Sequence, residues 1–122
     1  MTRKRYNFRK SAGTVIPSVK HSNVKMRVQQ LIHDEKYVAT GHAKKRLDHR
    51  EVTMKEVRSV LVGGAHVTED DEFCEFDAAG NKILRWSYAF VKQGLDRKLK
   101  VCVAIDDTKS KPLLIVTVID LG

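Results

Sequence analysis

Apolar residues Val24, Val28, Leu31 and Ile32 recur at i, i+4, i+7 and i+8, the spacing that lays one stripe along an α-helix. Ser22 or Asn23 is placed to cap this helix, which is expected to end between Asp34 and Lys36. A second helix starts at Thr53, where a hydroxyl followed three residues later by the Glu56 carboxylate makes a capping box. Val57, Val60 and Leu61 supply its buried stripe, and Gly63-Gly64 is expected to end it by adopting positive φ. Between the two lies a short helical stretch over His42–Arg50, with Thr40 as its cap.

Past Gly64 the hydrophobic period drops from that of a helix to two. His66–Glu69 and Phe73–Asp77 read as short strands around the acidic run Glu69-Asp70-Asp71-Glu72, and Ala78-Ala79-Gly80-Asn81 reads as a turn. Ile83–Val91 alternates, with Leu84, Trp86, Tyr88 and Phe90 on one face. Leu99, Val101, Val103 and Ile105 alternate again after Gln93-Gly94. The near-continuous apolar run Leu113–Ile119 reads as a strand covered on both faces. Helices followed by strands on short turns predict an α+β domain: N-terminal helices packed on an antiparallel sheet of about four to five strands.

Charge divides the chain. Residues 1–33 hold eight basic side chains and no acid, whereas residues 34–122 hold fifteen of each sign. Residues 1–21 lack sustained periodicity and are read as a basic N-terminal arm, with 22–122 as one domain. Arg3, Lys4, Arg5, Arg9 and Lys10 suit non-specific phosphate attraction driven by counterion release, and a solubilising tail is the competing reading. No apolar run approaches the ~20 residues that a membrane helix needs. No apolar stretch follows the basic start as in a secretory signal, so a cytoplasmic protein is expected, with no membrane partner. Cys74 and Cys102 have no metal-ligand spacing, and strand-like surroundings suit them as small packing residues.

Chemistry concentrates on the middle helix. At 100° per residue, His42, Arg46, His49 and Arg50 fall within roughly one quadrant of it. An imidazole beside guanidiniums suits phosphate binding and proton transfer. His42 fits a general acid or base, or equally a capping histidine bonded to backbone. Arg46 and Arg50 fit a phosphate clamp, or structural pairing with Asp48, Glu51, Glu56 or a strand carbonyl, and His49 reads as a surface residue. Arg85 interrupts an apolar strand on the face opposite the aromatics, and Thr117 is a lone hydroxyl in a central strand. Lys44 and Lys45 form a solvated edge open to phosphates. Phosphate-binding glycine loops, paired Cys-x-x-Cys, His-Glu-x-x-His and nucleophile elbows are missing from the sequence. No metal site or cofactor is expected.

The run Thr40-Gly41-His42-Ala43-x-x-Arg46-x-x-His49-Arg50-x-Val52-Thr53-x-x-Glu56-Val57-x-x-Val60-Leu61-x-Gly63 resembles the bacterial family called domain of unknown function 4258. Val101-Cys102-Val103-Ala104-Ile105-Asp106 and Leu114-Ile115-Val116-Thr117-Val118 look like its last two strands. The resemblance covers roughly Lys36 to Asp120. This chain reads Arg50-Glu51-Val52 where the family has a tight Arg-Gly-Ile/Val approach to the next helix. That family is similar in architecture to RelE-type and BrnT-type toxins, within the barnase–EndoU–colicin–RelE group of small ribonucleases. The likeness implies a metal-independent endoribonuclease of a toxin–antitoxin system, with RNA (at the ribosome or free) and an antitoxin or inhibitor protein as partners. His42, Arg46 and Arg50 match the family's helix motif and, with Arg85 and Thr117 from their places in the strands, make the expected catalytic set, while charge alone points to Arg3, Lys4, Arg5, Arg9, Lys10, Lys44 and Lys45 as binding nucleic acid. The alternative is a non-catalytic nucleic-acid- or protein-binding module using the basic arm and the His/Arg helix.

Overall fold

A computed structural model of the chain describes residues 19–77 and 79–122. Arg3, Lys4, Arg5, Arg9 and Lys10 lie outside the described residues. The elements run α1 (Val24–His33), β1 (Tyr37–Ala39), α2 (Gly41–Arg50), α3 (Met54–Gly63) and β2 (Ala65–His66). A 3₁₀ turn (Thr68–Asp70), β3 (Glu72–Phe76), β4 (Lys82–Gln93), β5 (Lys98–Ile105) and β6 (Leu113–Asp120) follow. No described helix is long and apolar enough to cross a membrane.

The expected α+β architecture is present, with a larger and mixed sheet. Six strands are described, in the order β1-β6-β5-β4-β2, with β3 paired to the other half of the long β4. Every pairing is antiparallel except β1 with β6, where Val38 lies opposite Leu114 in parallel register. Three residues carry too little alternation to announce a strand; β1 exists because the edge of β6 supplies its hydrogen-bond partners.

One face of the sheet holds the core. The α1 stripe Val24, Val28, Leu31 and Ile32 joins Val57, Val60 and Leu61 of α3 over Tyr88, Phe90, Val101, Val103, Leu113, Ile115 and Val118. The helix periods therefore specify burial as read. The capping box forms in full: Glu56 N–H donates to Thr53 Oγ1 at 3.1 Å, and Thr53 N–H donates to Glu56 Oε1 at 3.0 Å.

Several local expectations change: Thr68–Asp70, overlapping the expected His66–Glu69 strand, is a 3₁₀ turn, and Leu113–Ile119, expected to be covered on both faces, packs in the core on one face only. Gly64 ends α3 in extended geometry at φ −83°, not at positive φ. Its missing side chain answers a close approach instead: a Cβ there would collide with the Val60 carbonyl oxygen and lie 2.8 Å from that of Val91. Leu84 leaves the face of Trp86, Tyr88 and Phe90. It sits at φ 47°, a region costly for a γ-branched residue, and is buried outside the main core. There the β3–β4 register shifts, since Cys74 faces Arg85 while Phe76 faces Lys82. Three steps on β4 then match two on β3, a bulge that bends the ribbon.

The other face of the sheet carries the chemistry. Ala89, Cys102 and Thr117 lie opposite one another across β4, β5 and β6, and alternation puts Arg85 and Ser87 on the same side. Neither α1 nor α3 packs there.

Candidate functional site

A cleft of about 600 Å³ opens on this second face. Its walls come from the N-terminus of α2 (Thr40, Gly41, His42, Lys45), the β3–β4 ribbon (Cys74, Phe76, Asp77, Ala79, Ile83, Arg85, Ser87) and β6 (Val116, Thr117). Residues from three distant stretches of sequence meet in one concavity.

Thr40 joins two of the walls. Its Oγ1 accepts the Ala43 N–H at 3.1 Å as the cap of α2 and donates to the Val116 carbonyl at 3.3 Å. Its own N–H donates to the Ile115 carbonyl at 3.0 Å. Val116 sits at a second bulge, where Cys102 faces Thr117 while Val103 already faces Ile115. The extra residue breaks the alternation and lets two consecutive side-chain positions, Val116 and Thr117, line the same cleft. Among the described residues the N–H groups of Gly41 and His42 have no acceptor, so the positive end of α2 adds to the cleft's attraction for anions.

Five catalytic residues were expected, and the cleft gathers three: His42, Arg85 and Thr117. Arg46 and Arg50 are not among its lining residues. Angular position on a helix said they share a side; it said nothing of distance along the axis, which at ~1.5 Å per residue puts Arg50 about 12 Å from His42. Arg50 lies at the far end of α2, where its Nε is buried without a hydrogen-bond partner. Lys45, read as a solvated edge, takes the cleft position one turn after His42, while Lys44 is exposed outside it. His49 is exposed as expected. Phe76 and Ser87 were missed. An aromatic in a strand reads as core, and nothing in the pattern marks it as turned outward.

The Arg85 side chain forms no hydrogen bond or ion pair with a described residue, although its charge acts on Asp77, Cys74 and Asp106, so its guanidinium donors are open to a ligand. Asp77 is the one carboxylate of the cleft wall, and the turn after β3 occupies it. Its Oδ1 accepts the Ala79 and Asn81 N–H groups at 2.9 and 2.8 Å, and its Oδ2 accepts Asn81 Nδ2 at 3.3 Å. The Asn81 backbone bond holds this carboxyl below its usual range, so it stays ionised. Burial pushes the Cys74 thiol up, and the Glu72 charge adds to that; a protonated thiol is a poor nucleophile. Burial also pushes up Cys102.

The acidic run keeps out of the cleft. Asp70 pairs with Lys100 at 3.1 Å, and Asp71 is buried beneath His66, whose Nε2 lies 2.9 Å from it. Among the described residues no three His, Cys, Asp or Glu side chains gather as a metal site.

Neither the curated proteins nor the solved structures compared with the chain include a match. A family model, Domain of unknown function (DUF4258), matches residues 39–120. That span begins at the end of β1 and takes in α2, α3 and every later strand, hence every wall of the cleft. On that match, covering most of its length and all of its candidate site, the chain belongs to the domain of unknown function 4258 family.

Proposed function

We propose that the cleft binds RNA and cleaves it without a metal ion. The observation that carries this reading is the convergence of His42, Lys45, Arg85 and Thr117 from α2, β4 and β6 on one open concavity. An imidazole, two cations and unpaired helix N–H groups are what a phosphodiester needs for charge neutralisation and proton transfer.

In the proposed step the neutral His42 imidazole takes the proton of a ribose 2′-hydroxyl, and the 2′-oxygen attacks phosphorus. The bond to the 5′-oxygen breaks, leaving a 2′,3′-cyclic phosphate. Arg85 and the α2 N-terminus neutralise the charge gathered on the phosphoryl oxygens. Lys45 protonates the departing 5′-oxygen, and Thr117 donates to a non-bridging oxygen. On the resemblance to RelE- and BrnT-type toxins, an antitoxin or inhibitor protein would cover the cleft in a cytoplasmic setting.

A second reading keeps the cleft as an RNA-binding site without cleavage. It is favoured by one observation: a single imidazole lines the cleft, so no second histidine is there to act as acid.

Purified protein incubated with mixed RNA in EDTA tests the proposal. Cleavage to cyclic-phosphate ends is expected, with losses of 10²-fold or more in His42→Ala and no cleavage where a 2′-deoxynucleotide replaces the attacking ribose. Cleavage that survives both His42→Ala and Arg85→Ala would overturn it.

A further inference from the structure

The cleft has a feature that phosphate chemistry does not use. Phe76 is 58% exposed, whereas Tyr88 and Phe90, on the core face of the same sheet, are 1% and 0% exposed. Phe73, three residues earlier, is 40% exposed but lies edge-on to Trp86 with ring centroids 5.8 Å apart. Phe76 makes no ring contact among the described residues, and it faces the cleft that His42, Lys45 and Arg85 line.

Its placement is specified. The β3–β4 bulge falls between Cys74 and Phe76, and the next residue, Asp77, begins the turn its own carboxylate fastens. Asp77 N–H also donates to the Asn81 carbonyl at 2.9 Å, and Gly80 N–H to that of Asp77 at 3.0 Å. A ring held out on so constrained a backbone loses little freedom when a flat ligand settles on it.

We infer that Phe76 is a base-stacking platform, so that the cleft takes single-stranded RNA, one unpaired base against the phenyl face and the adjoining phosphate between Arg85, Lys45 and the start of α2. This rests on the RNA reading above and adds strandedness to it. In a duplex both faces of each base are already covered by its neighbours, and an exposed phenyl gains nothing. An unpaired base offers its face whatever its sequence. The apolar neighbours Ile83 and Val116 complete a dry wall beside the ring. An apolar side chain of a protein partner is the competing occupant.

The test uses the full chain and a 2′-O-methyl oligouridylate, which lacks the nucleophile and cannot be cleaved by the proposed route. An abasic oligomer of the same length and charge is the control, with binding read by fluorescence anisotropy. Phe76→Ala and Phe76→Leu are each expected to weaken the base-bearing oligomer about tenfold. Phe76→Trp is expected to retain binding, and all four proteins should hold the abasic oligomer equally. Arg85→Ala should weaken both oligomers. Wild-type affinity in Phe76→Leu overturns the inference, because bulk alone would then suffice. Equal loss on both oligomers, or equal binding of a duplex, overturns it as well. A stacking contrast without cleavage of ordinary RNA supports the platform and removes only the enzymatic step. Cleavage without the contrast removes only the platform, and no binding of either oligomer overturns both.

Discussion

Arg97 Nη1 donates to the carbonyl oxygen of Arg50 at 3.0 Å, fastening the turn between β4 and β5 to the last residue of α2. Its Nη2 reaches the Glu51 carbonyl at 2.9 Å and Glu56 Oε1 at 3.1 Å, and Nη1 also lies 3.4 Å from Asp120 Oδ2. One guanidinium thus holds the end of α2, the first turn of α3 and the end of β6. Thr40 fastens the other end of α2 to the β6 bulge, so the position of His42 depends on both anchors. Arg97→Ala is expected to lower the thermal midpoint by a few degrees. Arg97→Lys should recover less than half of that, because an ammonium cannot span four acceptors in a plane. A melting curve for Arg97→Lys that matches the wild type would refute the planar clamp.

Glu51 caps α2 in the left-handed region at φ 53°, where a residue with a Cβ pays a steric penalty that glycine escapes. The family-like Arg-Gly-Ile/Val approach has glycine at this position. Glu51→Gly is therefore expected to stabilise the fold by about 0.5–1 kcal/mol, read as a higher urea midpoint. The Arg97 bond survives the change because it uses the backbone carbonyl. A lower midpoint would show that the backbone here is held by something other than its own φ.

The Glu56 carboxyl is held below its usual range, first by the Thr53 backbone N–H and then by Arg97, with burial opposing. A folded-state value below the unfolded one of ~4.3 gives stability that is present at neutral pH and lost as pH falls through the folded-state value. Asp77 and Asp106, held down by Asn81 and Thr108 respectively, act in the same direction. Glu56→Gln should be less stable than the wild type at pH 7, with a smaller gap at pH 3. Urea denaturation at the two pH values gives the comparison, and a constant gap would contradict the linkage.

Asp71 has a fully buried carboxylate that accepts from His66 Nε2 at 2.9 Å and from the Ala89 N–H at 3.1 Å. Asp71→Ala strands both donors and is expected to cost about 3 kcal/mol. Asp71→Asn, which keeps one oxygen acceptor, should cost less. Equal losses in chemical denaturation would mean that packing, not acceptor chemistry, sets the value of this site.

Arg85 and Arg46 separate cleft from helix face. Arg85→Ala is expected to lower RNA binding or cleavage at least tenfold, whereas Arg46→Ala should stay within about twofold, as expected for a charge outside the cleft acting through screening solvent. Filter binding or gel-resolved cleavage at fixed salt measures both. The reverse order would move the site onto the outer face of α2.

Much of the fold was legible from local chemistry. The stripes of α1 and α3, the Thr53–Glu56 box, the Thr40 cap and the alternating strands β4 and β5 each follow from neighbours within a turn or a few strand residues. The candidate site was only half legible. His42, Arg85 and Thr117 stood out because a polar side chain interrupted an apolar pattern or joined a cationic cluster. Arg46 and Arg50 entered by the same cluster argument and lie outside the cleft, because periodicity gives an angle around a helix and not a place along it.

By itself the sequence determined which side of α1, α3 and β5 is buried, where the helices start, and that charge gathers before Asp34 and on α2. The tertiary structure alone decided that β1 joins β6 in parallel, that a bulge lets Val116 and Thr117 line one cleft, that the pairing of β3 with β4 opens Phe76 onto it, and that Lys45, not Arg46, lines it with His42. The physical reason is one of range. Hydrophobic period and capping act between residues close in sequence, so they can be read along the chain. Convergence in a cleft depends on register and bend between paired strands, which no single element's period encodes, and on pairings as distant as Tyr37 with Leu113.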